Sequence, residues 1–286
     1  MSEFRSPLGP DANAGKVALI TGGGTGIGRA VARELARTGA KVALCGRRPE
    51  PLEDVQSELG DDCLAVPTDV REPEQVEALV DRTLERFGRI DILVNNAGGQ
   101  FLAPAEEISL KGWRAVHRLA VDAVWDLTRL VAERSMIPNK EGAVVFIGFS
   151  PRRGMADMAH AAAARAAIEN LAGSLALEWS EHGIRTVCVA LGNIATEGLD
   201  GYGPERVAEW EQEVPLGRLG TPEEAASLIA FLVSPGGGYV TGTTVVMDGG
   251  LDVRRRRRPS SLRRSGRARR SRGARSASPP SVRPRE

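Results

Sequence analysis

The residues best suited to chemistry begin at Thr21, in the run Thr21-Gly22-Gly23-Gly24-Thr25-Gly26-Ile27-Gly28. An apolar, strand-like stretch precedes the run, and a helical stretch rich in Ala, Arg and Val follows it. Glycine lets a backbone turn tightly and approach a diphosphate closely, while a helix N-terminus offers unpaired N–H groups and the positive end of a dipole. A strand, a glycine turn and a helix in that order make an anion cradle, whereas a glycine cluster elsewhere makes an ordinary turn. Its candidate contacts are Gly22, Thr25, Gly26, Ile27 and Gly28. The next apolar run ends in Cys45-Gly46-Arg47-Arg48 without an acidic residue. Two guanidiniums there match a phosphate by charge and fork geometry; the plainer reading is a pair of solvated charges.

Such chemistry needs a frame to hold it. Short apolar, β-branched runs alternate with amphipathic stretches from Lys16 to Asp248, which predicts a parallel sheet wrapped by crossover helices. Strands are expected at 17–21, 42–46, 63–66, 90–95, 143–148, 185–190 and 243–248. Their near-continuous hydrophobicity suits strands covered on both faces. Helices are expected near 27–38, 51–59, 72–87, 110–134, 158–181 and 222–233. The fold class is therefore α/β: a single doubly wound Rossmann domain, its seven-stranded parallel sheet flanked by helices on both faces. Residues 193–215 form the one long connection without a clear pattern, a length that suits an active-site lid.

Composition sets the limits. The chain has 286 residues, 42% of them hydrophobic, enough for one large core. We expect a flexible extension over 1–15, the Rossmann domain over 16–250 and an Arg-rich disordered tail over 251–286. That tail holds 14 Arg against Asp252 and Glu286, so the remainder is acidic. The tail lacks interleaved aromatics, and an acidic body opposes nucleic acid, so binding of nucleic acid is disfavoured. No apolar run is long enough to span a bilayer, and the polar start lacks a signal peptide's apolar stretch, which leads us to expect a cytoplasmic protein. Cys45, Cys63 and Cys188 lie far apart in apolar runs and suggest buried free thiols, with neither a disulfide framework nor a metal site.

Beyond the cradle, the sequence resembles the classical short-chain dehydrogenase/reductase family over residues 16 to 250. Asn95-Asn96-Ala97-Gly98 ends the fourth strand as the family's structural motif does. Thr68-Asp69-Val70 stands where the family holds adenine, and Gly192-Asn193-Ile194-Ala195-Thr196 is similar to its nicotinamide-binding turn. The resemblance implies dinucleotide contacts from Asp69, Val70, Asn95, Ala97, Gly98, Gly192, Ile194 and Thr196. Taken singly, Asp69 is equally a helix cap and Asn95 a tie between strands. An acidic residue after the second strand would hold the ribose 2′-hydroxyl of NAD. Arg47 and Arg48 stand there instead, so the expected cofactor is NADP(H), with Arg47 the first choice for its 2′-phosphate.

The catalytic positions depart from the family pattern. A Tyr, a Lys four residues later, a Ser after the fifth strand and an Asn in the preceding helix are usual. Here Ala161, Arg165, Phe149 or Ser150, and Ala120 fall at those positions. Without the phenol, alcohol–ketone interconversion loses a general acid worth roughly 10²–10⁴-fold in rate. The run from Asn95 to Leu102, then Pro104-Ala105-Glu106, and His160 with Ala163-Ala164-Arg165-Ala166 resemble the enoyl-CoA reductase branch. The opening Gly-Gly-Gly-Thr-Gly is similar to that of the dienoyl-CoA reductases. This resemblance implies a small-molecule substrate with a C=C bond conjugated to a thioester, reduced while fixed donors stabilise charge on the thioester oxygen.

Arg165, Ser150 and His160 are the candidate catalytic residues, with Arg165 also holding the nicotinamide ribose. Their plainer roles are an i,i+4 pair of Arg165 with Glu169, a turn shaped by Ser150 before Pro151, and a helix-start His160 that points elsewhere. Reduction of an imine, or a non-redox or scaffolding role, are the alternative functions. Family members commonly pair through the two long helices, which implies a homodimer or homotetramer.

Overall fold

A computed structural model describes residues 4–152 and 154–254. The Arg-rich tail expected from 251 onward lies outside the described residues beyond Arg254. Seven parallel strands form one sheet in the order β3-β2-β1-β4-β5-β6-β7. They are β1 (Val17–Thr21), β2 (Lys41–Gly46), β3 (Cys63–Pro67), β4 (Ile92–Asn95), β5 (Gly142–Phe149), β6 (Ile184–Leu191) and β7 (Thr243–Met247).

Alternation along each strand divides the core in two. Ala18 and Ile20 of β1 pack with Val31 and Leu35 of α1 (Gly26–Arg37) and with Ile229 of α9 (Pro222–Val233). Leu19, between them, faces Leu79 of α3 (Pro73–Phe87), Leu127 of α5 (Ala123–Val131) and Ile168 of α7 (Ala159–Trp179). Side chains two apart share a face, so an uninterrupted apolar strand feeds both layers. The remaining helices are α2 (Pro49–Leu59), α4 (Leu110–His117), α6 (Ile137–Asn139) and α8 (Pro204–Glu213).

Three differences from the sequence expectations matter. The helix expected at 110–134 reaches residue 139, with π turns at Arg118–Asp122 and Ala132–Met136 joining α4, α5 and α6. The patternless connection contains α8, which buries only Trp210 and so offers no apolar stripe to read. Residues 4–15, expected as a flexible extension, are anchored: buried Asn13 donates to Thr38 Oγ1 at 2.9 Å and to the Ala230 carbonyl at 3.4 Å.

Strand order reverses between β1 and β4, where their crossover connections leave in opposite directions. A crevice opens at the carboxyl ends of strands at such a point, and the glycine turn after β1 lies there.

Candidate active site

Thr21 closes β1 and organises the cradle. Its hydroxyl oxygen accepts the Asn96 and Ala97 amides at 3.0 and 2.8 Å, holding the start of the β4 loop against β1. Asn96 Nδ2 in turn donates to the Thr21 carbonyl at 2.9 Å and the Gly22 carbonyl at 3.3 Å. Gly22 has φ +65°, and a Cβ there would stand 2.9 Å from Asn96 Nδ2. Gly28 does not line the crevice; a Cβ on it would stand 2.1 Å from the Gly22 carbonyl oxygen, so glycine is what lets α1 reach the turn. The resulting crevice, which Gly22, Thr25, Gly26 and Ile27 line, has a volume of about 830 Å³.

Arg47 and Arg48 border one end of this crevice with Asp69 and Val70. Arg71, which the sequence reading missed, lies there too and donates from Nε to Asp69 Oδ1 at 2.8 Å. That hydrogen bond, together with the Arg71 amide and the charges of Arg71 and Arg47, holds the Asp69 carboxyl down at about 2 against the cost of burial. Asp69 is thus a permanent anion that braces a loop of arginines. The only signal for Arg71 was its place two residues after Asp69, within reach of a short loop.

Ala97, Gly98 and Arg165 border the crevice further along, as do Gly192 and Thr196. Asn95 does not: its amide donates to Thr128 Oγ1 at 2.9 Å, tying β4 to α5, and the neighbouring Asn96 is the one that faces the crevice. Strand alternation makes that correction, because adjacent side chains point to opposite faces. Ile194 is also displaced from the expected set, being buried in the core while its backbone bridges to Gly220.

The catalytic positions form an apolar floor. Ala161 and Ala120 are buried with Val116, Met158 and Ala164, and Phe149 packs against them from the crevice side. Of Phe149 and Ser150, Phe149 is the one that borders the crevice. The Ser150 hydroxyl, a candidate catalytic group, instead donates to Asp248 Oδ2 just past β7. His160 is fully buried, its ring stacked 4.2 Å from Phe101 and both ring nitrogens without a hydrogen-bond partner. Burial and the nearby His117 push its pKa down, so the ring is neutral at physiological pH.

Arg165 retains the polar chemistry. Its Nη1 donates to the Ile147 carbonyl at 2.6 Å, and its Nη2 would stand 2.4 Å from a Cβ on Gly98, so that glycine makes room for the guanidinium. The plainer role, an i,i+4 pair with Glu169, is not taken up: Glu169 turns to Arg152 at 3.6 Å and Thr244 at 3.4 Å. Burial lowers the Arg165 pKa, and among the described residues no carboxylate is paired with it. An uncompensated cation beside an apolar floor attracts negative charge that develops there. The cysteines offer no nucleophile, since all three are buried and desolvation pushes each thiol up to about 12. Among the described residues, no group of three or more His, Cys, Asp or Glu could hold a metal ion.

Fold and crevice together define a Rossmann-type nucleotide-binding protein. Residues 22–252 match the family described as Enoyl-(Acyl carrier protein) reductase, and the chain belongs to this family of short-chain dehydrogenase/reductases, an oxidoreductase family. A probable 2,4-dienoyl-CoA reductase of Bacillus subtilis is 36% identical over 247 residues, covering 82% of this chain and 96% of the relative. The 3-ketoacyl-(acyl-carrier-protein) reductase of Brucella melitensis, solved with NADH, has a TM-score of 0.80 and 31% identity over 84% of this chain and 99% of its own. A putative NAD(P)-dependent gluconate 5-dehydrogenase of Beutenbergia cavernae, solved with NADP at low occupancy, has a TM-score of 0.79 and 35% identity over 86% and 100%.

Proposed function

We propose that the chain is an NADPH-dependent reductase of an activated C=C bond, in an enoyl thioester or enone-like substrate, that works without a tyrosine acid. The observation that carries this reading is Arg165, a cation without an ion-pair partner among the described residues, held between Gly98 and Ile147 and bordering the crevice with Phe149, behind which Ala161 and Ala120 are buried. The positive-φ Gly22 and Gly26 keep the turn after β1 free of side chains, so that the crevice there would take a dinucleotide with its diphosphate at Gly26 and Ile27 and its 2′-phosphate at Arg47 and Arg48. Bound there, NADPH supplies a hydride.

The chain's own groups account for the rest. As a conjugated C=C bond is reduced at its β-carbon, negative charge collects on the thioester oxygen, and Arg165 is positioned to stabilise it. Phe149, which borders the crevice in front of the buried alanines, presents an apolar wall to the acyl chain. Ser150 is committed to Asp248 and His160 is neutral beneath Phe101, so the α-carbon takes its proton from water. The kinship with dienoyl-CoA reductases supports the same substrate class. The same shortage of acids also favours imine reduction or a non-redox role, because neither requires a phenol.

One experiment separates these readings. Stopped-flow mixing of enzyme and NADPH with enoyl-CoA, 2,4-dienoyl-CoA and a cyclic imine should show absorbance loss with the thioesters. Loss with the imine alone would move the assignment to imine reduction, and silence across the panel would leave the non-redox role.

We also propose a homodimer or homotetramer, because Leu110, Trp113 and Trp125 of the α4–α5 stretch and Leu177 of α7 are exposed. Light scattering should return a multiple of the 30.5 kDa chain mass; a single-chain mass would refute assembly.

A further inference from the structure

The amide that opens α1 is already engaged. Glu197, in the turn Glu197–Tyr202, accepts the Gly26 N–H at 3.1 Å with one carboxylate oxygen and the Arg29 guanidinium with the other. Gly26 and Arg29 belong to the first turn of α1, where the free N–H groups and positive dipole end suit a diphosphate. Thr196 lies over the same turn, with its Cγ2 3.3 Å from where a Cβ on Gly26 would be. An anion of the chain itself thus sits in the place that the proposed function assigns to the anion of the cofactor.

Resting on that reading, we infer that Glu197 is a resident carboxylate in the diphosphate seat, so that dinucleotide uptake displaces it from Gly26 and releases the 197–202 turn from α1. Like charges compete for one helix N-terminus, and the incoming diphosphate brings the larger charge and more acceptor oxygens. The backbone amide of Glu197, and after it Arg29 and the Gly26 amide, keep its carboxyl below the usual carboxylate range against the cost of burial, so it is an anion throughout the physiological range. Within the turn, Leu199 donates to Thr196 and Gly203 to Asp200, which are local bonds. Among the described residues, Glu197 provides the only hydrogen bonds from this turn to α1. Its departure unties the turn from the cradle while Tyr202 keeps its edge-on contact with Trp210 of α8, 5.0 Å between ring centroids. The consequence is an affinity set low by the chain's own charge and a turn whose freedom reports cofactor occupancy.

The test uses the full chain, wild type and Glu197→Ala, titrated by calorimetry with NADP⁺ and separately with inorganic pyrophosphate. Glu197 is exposed at the surface, so the neutral variant should fold, and its melting temperature checks that it does. The variant should bind both ligands about tenfold more tightly, by loss of a competing charge. Hydrogen exchange over 197–203 should rise in the wild type on saturation and should already be high in the unliganded variant. Equal or weaker binding by the variant, with clear uptake by both chains, overturns the displacement and leaves the cofactor reading intact. No uptake of either ligand by either chain overturns both.

Discussion

Arg165→Met is expected to lower kcat toward an enoyl thioester by about 10²–10³-fold, the usual cost of removing one preorganised donor from a developing oxyanion. Methionine keeps much of the length and apolar stem while removing the charge, so the floor of Ala161, Ala120 and Phe149 should stay closed. Stability provides the control. The variant loses one hydrogen bond to the Ile147 carbonyl but no longer buries an unopposed cation, and these effects oppose one another. Its melting temperature should therefore stay close to that of the wild type while turnover collapses. Arg165→Lys should recover part of the rate, since a charge remains but the planar fork does not. Unchanged turnover in Arg165→Met would remove Arg165 from the chemistry and with it the central support for C=C reduction.

Arg47→Asp should weaken NADPH binding by about 100-fold while changing NADH binding little. A charge-assisted hydrogen bond to a phosphate contributes on the order of 1.5–3 kcal/mol, and the new carboxylate adds repulsion to that loss. NADH, with a 2′-hydroxyl, meets neither term and gains an acceptor. Arg48 and Arg71 border the same end of the crevice and should retain a residual NADPH preference over a fully acidic site. The choice is measured as the ratio of the two dissociation constants in one buffer, because phosphate contacts weaken with salt. Equal loss of both coenzymes would show that Arg47 shapes the loop rather than reading the phosphate.

The sequence carried the frame well. Continuous apolar runs such as Ala18 to Ile20 identified strands covered on both faces, and the sheet has those strands in one parallel array. The glycine cradle was legible for the same local reason: a turn at positive φ and a helix start are properties of neighbouring residues. Where the signal depended on a partner distant in the chain, the reading failed. α8 was unread because it buries only Trp210. Arg71 and Asn96 were missed because their value comes from what they face, Asp69 in one case and the Gly22 turn in the other.

What the residues alone determined, then, is a parallel α/β sheet with an anion cradle after its first strand, two arginines after its second and no tyrosine acid at the expected helix. Local propensity and periodicity suffice for such features, since each is encoded within a few residues. Only the tertiary structure decided the direction of individual side chains: Ser150 toward Asp248, Asn95 toward Thr128, His160 beneath Phe101 and Glu197 onto Gly26. Those outcomes depend on strand register and on contacts between segments as far as 171 residues apart, which no local pattern records.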